Sequence, residues 1–312
     1  MAQRADISVS EQANTPSNAG NLMRWATYAS VSVASILIVG KFYAWMVSDS
    51  VSLLSTLIDS FLDAAASFVN LLAVRHALQP ADREHRFGHG KAEALAGLMQ
   101  SAFITGSAVF LLIEAINRVV DPIAIIETKA GYIVMVFSIV LTLALMTFQR
   151  YVIKRSGSLA ISADLLHYQT DVLINASVIL SLYISSQMKI PLADPIFAIA
   201  IVAYIVRSAW QIGIGAFHIL MDHEIPDADR ERIQQIVLVQ PGVLGMHDLR
   251  TRSSGAQVFI QLHLELNGEM TLNETHKIAD HVEREVGRAF PNAEVIVHED
   301  PEGVDEVKVE FK

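Results

Sequence analysis

Six apolar stretches, each near the ~20 residues that cross a bilayer's hydrocarbon core, decide what this chain can fold into. They cover roughly residues 24–47, 51–77, 93–119, 130–152, 159–186 and 192–219. Lipid offers the backbone no hydrogen-bond partner, so each stretch reads as an α-helix that bonds to itself. The composition agrees: 52% of residues are hydrophobic, 18% are charged, and the mean hydropathy is +0.38. Those values suit a membrane protein with a soluble appendage.

Around the spans the chain divides into four parts. Residues 1–22 are polar and rich in Ser, Asn and Gln, and read as a disordered arm. Arg24 leads straight into the first span without a small-residue cleavage motif, so no cleavable signal is expected. Residues 23–221 form the transmembrane domain, residues 222–302 a soluble α+β domain, and residues 303–312 a tail. In the soluble part, "PDADRERIQQIVLVQ" and "TLNETHKIADHVEREVGRAF" read as amphipathic helices, the second opened by the Thr271–Glu274 capping pattern. "GMHDLRTRSSG", "AQVFIQLHLEL" and "AEVIVHED" read as strands. The expected architecture is a six-helix membrane bundle followed by an α-β-β-α-β, ferredoxin-like sandwich.

Charge orients the bundle. The arm, the second–third loop and the fourth–fifth loop carry Arg4, Arg24, Arg75, Arg83, Arg86, Lys91, Arg150, Lys154 and Arg155, against Arg118, Lys129 and Lys189 on the other side. The positive-inside rule then puts both termini in the cytoplasm. Lys41 and Arg207, near span ends, are expected to snorkel. From Asp222 onward there are 19 acidic and 9 basic residues, whereas residues 1–221 hold 14 of each. The net charge of −10 thus sits in the soluble part, which argues against nucleic acid as a partner.

Two spans carry charge where it is expensive. Asp59 and Asp63 lie one helical turn apart in the second, and His167 and Asp171 have the same spacing in the fifth. Each ionised carboxylate at the centre of a membrane helix costs roughly 2.5–3.5 kcal/mol on insertion scales. One imidazole cannot neutralise three carboxylates, so protons or a cation must. Facing each other, the two pairs supply four oxygen and nitrogen ligands, a tetrahedral set suited to Zn²⁺ and acceptable to Fe²⁺, Co²⁺ or Cd²⁺. The chain has no cysteine, which excludes thiolate metal sites, iron–sulfur clusters and disulfides and leaves eleven histidines as the nitrogen ligands. Outside the membrane, Asp82, His85 and His89 form a D-x-x-H-x-x-x-H loop, a weak signal alone. His298 and Asp300, two apart, share a face if their strand continues.

The Asp-x-x-x-Asp of the second span, "HYQTD" in the fifth, the loop "QPADREHRFGHGKAE" and the later "HDLRTR" and "HEDP" together resemble the cation diffusion facilitator family over about residues 24–301. The resemblance implies a homodimeric exporter of the bacterial inner membrane that exchanges cytosolic Zn²⁺ and related ions for protons. It implies a transport site at Asp59, Asp63, His167 and Asp171, and a second metal site at Asp82, His85 and His89. It also implies a cytoplasmic-domain site at His247, His263, His276, His298 and Asp300, with Asp300 bridging, and a Lys91–Asp222 brace between the two domains. His76, His218, His223 and His281 match no site implied by it.

Two other classes compete with a carrier. An intramembrane metalloenzyme needs an open metal position and a general base, and H-E-x-x-H is absent, "HEIPD" lacking the second histidine. A cation channel must release its ion quickly, which a closed four-ligand site opposes. The residues therefore favour a secondary transporter with no catalytic residues.

Overall fold

The computed structural model describes residues 18–48, 51–120, 129–188 and 193–303. It divides into two compact units, residues 1–216 and residues 217–312.

The first unit is a helical bundle. Its helices are α1 (Asn18–Ser48), α2 (Val51–Ala77), α3 (Lys91–Val120), α4 (Lys129–Ser156), α5 (Leu159–Met188) and α6 (Ala193–Leu220), the last running on into the second unit. Among the described residues, five helices are long and apolar enough to cross a membrane, and the first half of α5 carries Asp164, His167, Gln169 and Asp171. Helix α1 begins earlier than expected. Residues 18–22, assigned to the disordered arm, belong to the helix, and Leu22 packs with Met23, Ala26, Val74, Val152 and Ile161. Residues 1–17 and 304–312, most of the expected arm and tail, lie outside the described residues.

Large apolar side chains cover the outside of this bundle, including Trp25, Tyr43, Phe110 and Trp210. Such a surface is costly in water and is what lipid-facing helices require. Inside, small residues let helices approach: a Cβ on Gly213 of α6 would come within 3.0 Å of Ser101 Oγ on α3. The interior also holds a polar network. Asp164 of α5, only 1% exposed, accepts hydrogen bonds from Ser30 Oγ of α1 (2.6 Å) and Gln149 Nε2 of α4 (2.7 Å), with Ser67 Oγ of α2 at 3.4 Å. Tyr168, 1% exposed, donates to Ser30 O and meets Ser67 Oγ at 3.0 Å. Four helices are tied at this point.

The second unit follows the expected order: α7 (Asp227–Leu238), β1 (Gly245–Ser254), β2 (Gln257–Leu266), α8 (Leu272–Ala289) and β3 (Ala293–Pro301). The sheet order is β1-β2-β3, with β1–β2 antiparallel and β2–β3 parallel, so α8 is the crossover that parallel strands need. Strand β2 alternates: Ile260, Leu262, Leu264 and Leu266 turn to a core shared with Ile233, Val237, Val282 and Val286 of the helices. Burying each such side chain contributes about 1.5–3 kcal/mol. His263 and Glu265, at the intervening positions, therefore lie on the helix-free face. At the start of α8, Glu274 Oε2 accepts from Thr271 N and Oγ1, both at 2.8 Å, which holds its carboxyl below the usual range.

Candidate cation sites

Among the described residues, three groups of histidine and carboxylate come together, one in the membrane bundle, one in a loop and one on the sheet. In the bundle, Asp63 of α2 and His167 and Asp171 of α5 bring ligand atoms within 4.8 Å of one another. The one-turn spacing of His167 and Asp171 puts both on the face of α5 that meets α2. His167 is 7% exposed, and its Nε2 lies 3.0 Å from Asp63 Oδ1 without hydrogen-bond geometry. Two lone-pair atoms so placed can share a cation between them. Asp59, one turn before Asp63, is exposed on the isolated chain and stands outside this group. Helix spacing puts it on the right face of α2 but leaves open how far its side chain reaches.

Lys41 corrects an expectation. Instead of snorkelling it turns inward, and its Nζ donates to Ser60 Oγ (2.6 Å) and Thr56 O (3.2 Å) on α2. Asp63, Asp171 and Asp59 are the charges that act on it. Its partners lie on α2, against which α1 packs, so the side chain is held toward the helix that carries Asp59 and Asp63.

In the α2–α3 loop, Asp82 Oδ1 accepts from the backbone N–H groups of Glu84 (2.9 Å) and His85 (2.6 Å). Those bonds, that from His85 foremost, hold the Asp82 carboxyl below its usual range. They also aim Oδ2 at His89 Nε2, 3.4 Å away, while His85 Nδ1 sits 3.4 Å from Oδ1. A turn at Gly88, with φ of 76°, folds His85 back toward His89. A tetrahedral ion with bonds of ~2.0–2.1 Å has ligand–ligand edges of ~3.4 Å, the length of each imidazole's approach to Asp82.

On the sheet, strand register does what sequence separation hides. His247 of β1, His263 of β2 and His298 of β3 are direct partners across three adjacent strands. Asp300, 6% exposed, lies among them: its Oδ2 is 2.8 Å from His263 Nδ1 and 3.6 Å from His247 Nε2, and its Oδ1 is 3.1 Å from His298 Nε2. A carboxylate presenting one oxygen to two imidazoles and the other to a third is disposed to bridge two ions. Glu265, 3.1 Å from His247 Nδ1, and Asp248, 3.8 Å from His263 Nε2, extend the group. His276 is not part of this cluster within the chain; it is exposed on α8, 3.7 Å from Asp280.

Lys91 is the first residue of α3, in the first unit. Asp222, in the second, has a left-handed φ of 54° and accepts from Arg252 Nη1 at 3.2 Å. Neither motif nor spacing singles out Asp164, Glu265 or Asp248, and Lys41 reads from the sequence only as a snorkelling residue. An ionisable residue inside a span is itself a signal, and Asp164, seven residues before Asp171, carried it.

A bundle of lipid-length helices holding an oxygen–nitrogen ligand set, joined to a small α+β unit with its own histidine–carboxylate cluster, defines a multi-pass membrane protein that handles cations. The model of the cation efflux transmembrane domain matches residues 27–221, and that of the cation efflux protein cytoplasmic domain matches residues 225–302. The cation-efflux pump FieF of Klebsiella pneumoniae subsp. pneumoniae is 46% identical over 285 residues, covering 91% of this chain and 95% of that protein. FieF of Escherichia coli O1:K1 is 45% identical over 282 residues, covering 90% and 94%. A solved structure of CzrB in its Zn form matches 27% of this chain and 98% of its own, at 32% identity and a TM-score of 0.26. The chain belongs to the cation efflux, or cation diffusion facilitator, family.

Proposed function

We propose that this protein exports zinc-class divalent cations from the cytoplasm in exchange for protons, by alternating access at the Asp63–His167–Asp171 group. The convergence of these three side chains from two helices inside an apolar bundle carries the reading. Asp59 completes the set as the fourth ligand. Zn²⁺ leads because one imidazole among carboxylates suits a borderline ion; Fe²⁺, Cd²⁺ and Co²⁺ are the other candidates.

Exchange follows from the ligands' own chemistry. Metal binds ionised carboxylates and a neutral imidazole, so loading the ion displaces protons and losing it lets them return. Histidine's reference pKa of about 6.5 makes His167 a suitable proton carrier. Open to the cytoplasm the site takes metal; open to the other side it takes protons. The Lys/Arg bias of the loops supports cytoplasmic termini in a bacterial inner membrane.

The protein acts as a homodimer. The cytoplasmic unit, with the His247–His263–His298–Asp300 cluster, binds metal and regulates transport, with His276 as a further ligand, and the Lys91–Asp222 pair braces that unit against the membrane bundle. The loop group at Asp82, His85 and His89 binds a second metal ion. The test is zinc uptake into proteoliposomes under an imposed pH gradient. A gradient favouring proton counterflow is expected to accelerate saturable uptake and its reversal to slow it. Uptake indifferent to the gradient would remove the antiport.

A further inference from the structure

The loop cluster contains one more imidazole than the motif that named it. His76 lies on the last turn of α2, where Leu78 N still bonds to Val74 O and Gln79 N closes on His76 O. Its ring centroid is 4.5 Å from that of His89, at an interplanar angle of 65°. The His85 ring is 4.6 Å from that of His89. His89 thus meets two imidazoles, with Asp82 facing its Nε2.

His89 is 7% exposed, and its Nδ1 has no hydrogen-bond partner. Leaving a buried polar atom unsatisfied is unfavourable, and an imidazole so placed is poised for a ligand. Asp82, His85 and His89 supply three donors, which is the count of a site with an open position. His76 is exposed, so its ring can turn without displacing core side chains, and it already touches the central histidine.

We propose that His76 is the fourth ligand of this loop site, so that His76, Asp82, His85 and His89 enclose one zinc-class divalent cation. The inference rests on the reading of Asp82, His85 and His89 as a metal site and adds a consequence to it. A three-ligand loop site grips only the connection between α2 and α3. With His76 the ion also grips α2 itself, the helix that carries Asp59 and Asp63. His76 follows Asp63 by thirteen residues, about 20 Å along the helix. The bound ion therefore fastens the far end of the transport helix to the start of α3, two residues beyond His89.

Site-resolved histidine labelling with diethyl pyrocarbonate, read by mass spectrometry on the full-length protein with and without zinc, tests this. His89 is nearly buried and labels slowly in either state, so the comparison uses the exposed His76 and His85. Zinc should protect both with one midpoint, and Asp82→Ala should remove protection from both. His76→Ala should raise the zinc midpoint for His85 on the order of tenfold, while an unchanged unfolding temperature without metal shows that the fold survives. His85 protected by zinc with His76 labelled at its metal-free rate overturns the fourth-ligand role and leaves the three-ligand site standing. An unshifted His85 midpoint in His76→Ala does the same. Protection of neither histidine at saturating zinc overturns the loop site and this inference together.

Discussion

Lys41 sets a cationic side chain against α2, the helix that carries Asp59 and Asp63. Its ammonium, fixed by Ser60 Oγ and Thr56 O, feels the carboxylates of Asp63, Asp171 and Asp59. It offsets part of their mutual repulsion when no metal is bound, and it competes with a metal that arrives. Lys41→Met should therefore bind zinc more tightly at this cluster, on the order of tenfold by the usual strength of a partly buried charge, and should turn over more slowly. Calorimetric titration and flux on the same preparation check it; weaker binding would contradict the placement. Asp164 makes a different claim. Its carboxylate accepts from Ser30 and Gln149, and replacing it by alanine leaves them only the bonds from Ser30 Oγ to Ala26 O (3.1 Å) and from Gln149 Nε2 to Ser30 Oγ (3.0 Å), at a cost of about 1–3 kcal/mol. Asp164→Ala should unfold at a clearly lower temperature in detergent than Asp164→Asn, which keeps one acceptor oxygen. Equal unfolding temperatures for wild type and Asp164→Ala would show that the network adds nothing. Periodicity made the face shared by His167 and Asp171 legible, because one turn is a local property. It left the reach of Asp59 and the direction of Lys41 hidden, since those depend on how neighbouring helices are rotated.

At the scale of elements, the α-β-β-α-β order could be read from alternation and capping, and it is what the second unit contains. The meeting of its histidines could not. His247, His263 and His298 are aligned by register, and the register between β1 and β2 shifts between His247 and Arg250. A break of that kind leaves no mark in hydrophobic alternation. Asp248, within it, has a φ of 46° and pairs with Arg250 at 2.8 Å. The opposite end of the site depends on Gly245, paired with Glu265. A Cβ there would come within 2.5 Å of Glu265 Oε2, the far end of a flexible side chain. Gly245→Ala should change the stability of the unit by no more than about 0.5 kcal/mol, but should push Glu265 away from His247 and weaken metal binding by the cluster. Isothermal titration of the full-length variant, compared with its denaturation curve, separates the two effects. Unaltered metal affinity would show that Glu265 plays no part. His276, a ligand only on the strength of the family resemblance, lies on α8 beside Asp280, because α8 packs its apolar face on the sheet.

For the whole molecule, the account assigns transport to the membrane bundle and control to the cytoplasmic unit. All of the net charge of −10 lies from Asp222 onward. Two such units brought together in a dimer repel each other, and cations bound among His247, His263, His298 and Asp300 reduce that repulsion. Control of this kind requires metal to bind one arrangement of the dimer better than another. His263→Ala combined with Asp300→Ala should abolish zinc-dependent crosslinking between the two cytoplasmic units and reduce the metal sensitivity of flux. The bundle should still bind its own ion. Crosslinking and flux that respond to zinc as in the wild type would leave those residues with a structural role alone. The central claim, that Asp63, His167 and Asp171 carry the transported ion, is tested most directly by zinc flux through Asp171→Asn in proteoliposomes at matched protein density. The substitution keeps the side chain's size and removes the charge that a metal needs. Loss of nearly all flux from a correctly inserted protein is the predicted result; flux near the wild-type rate would contradict the claim.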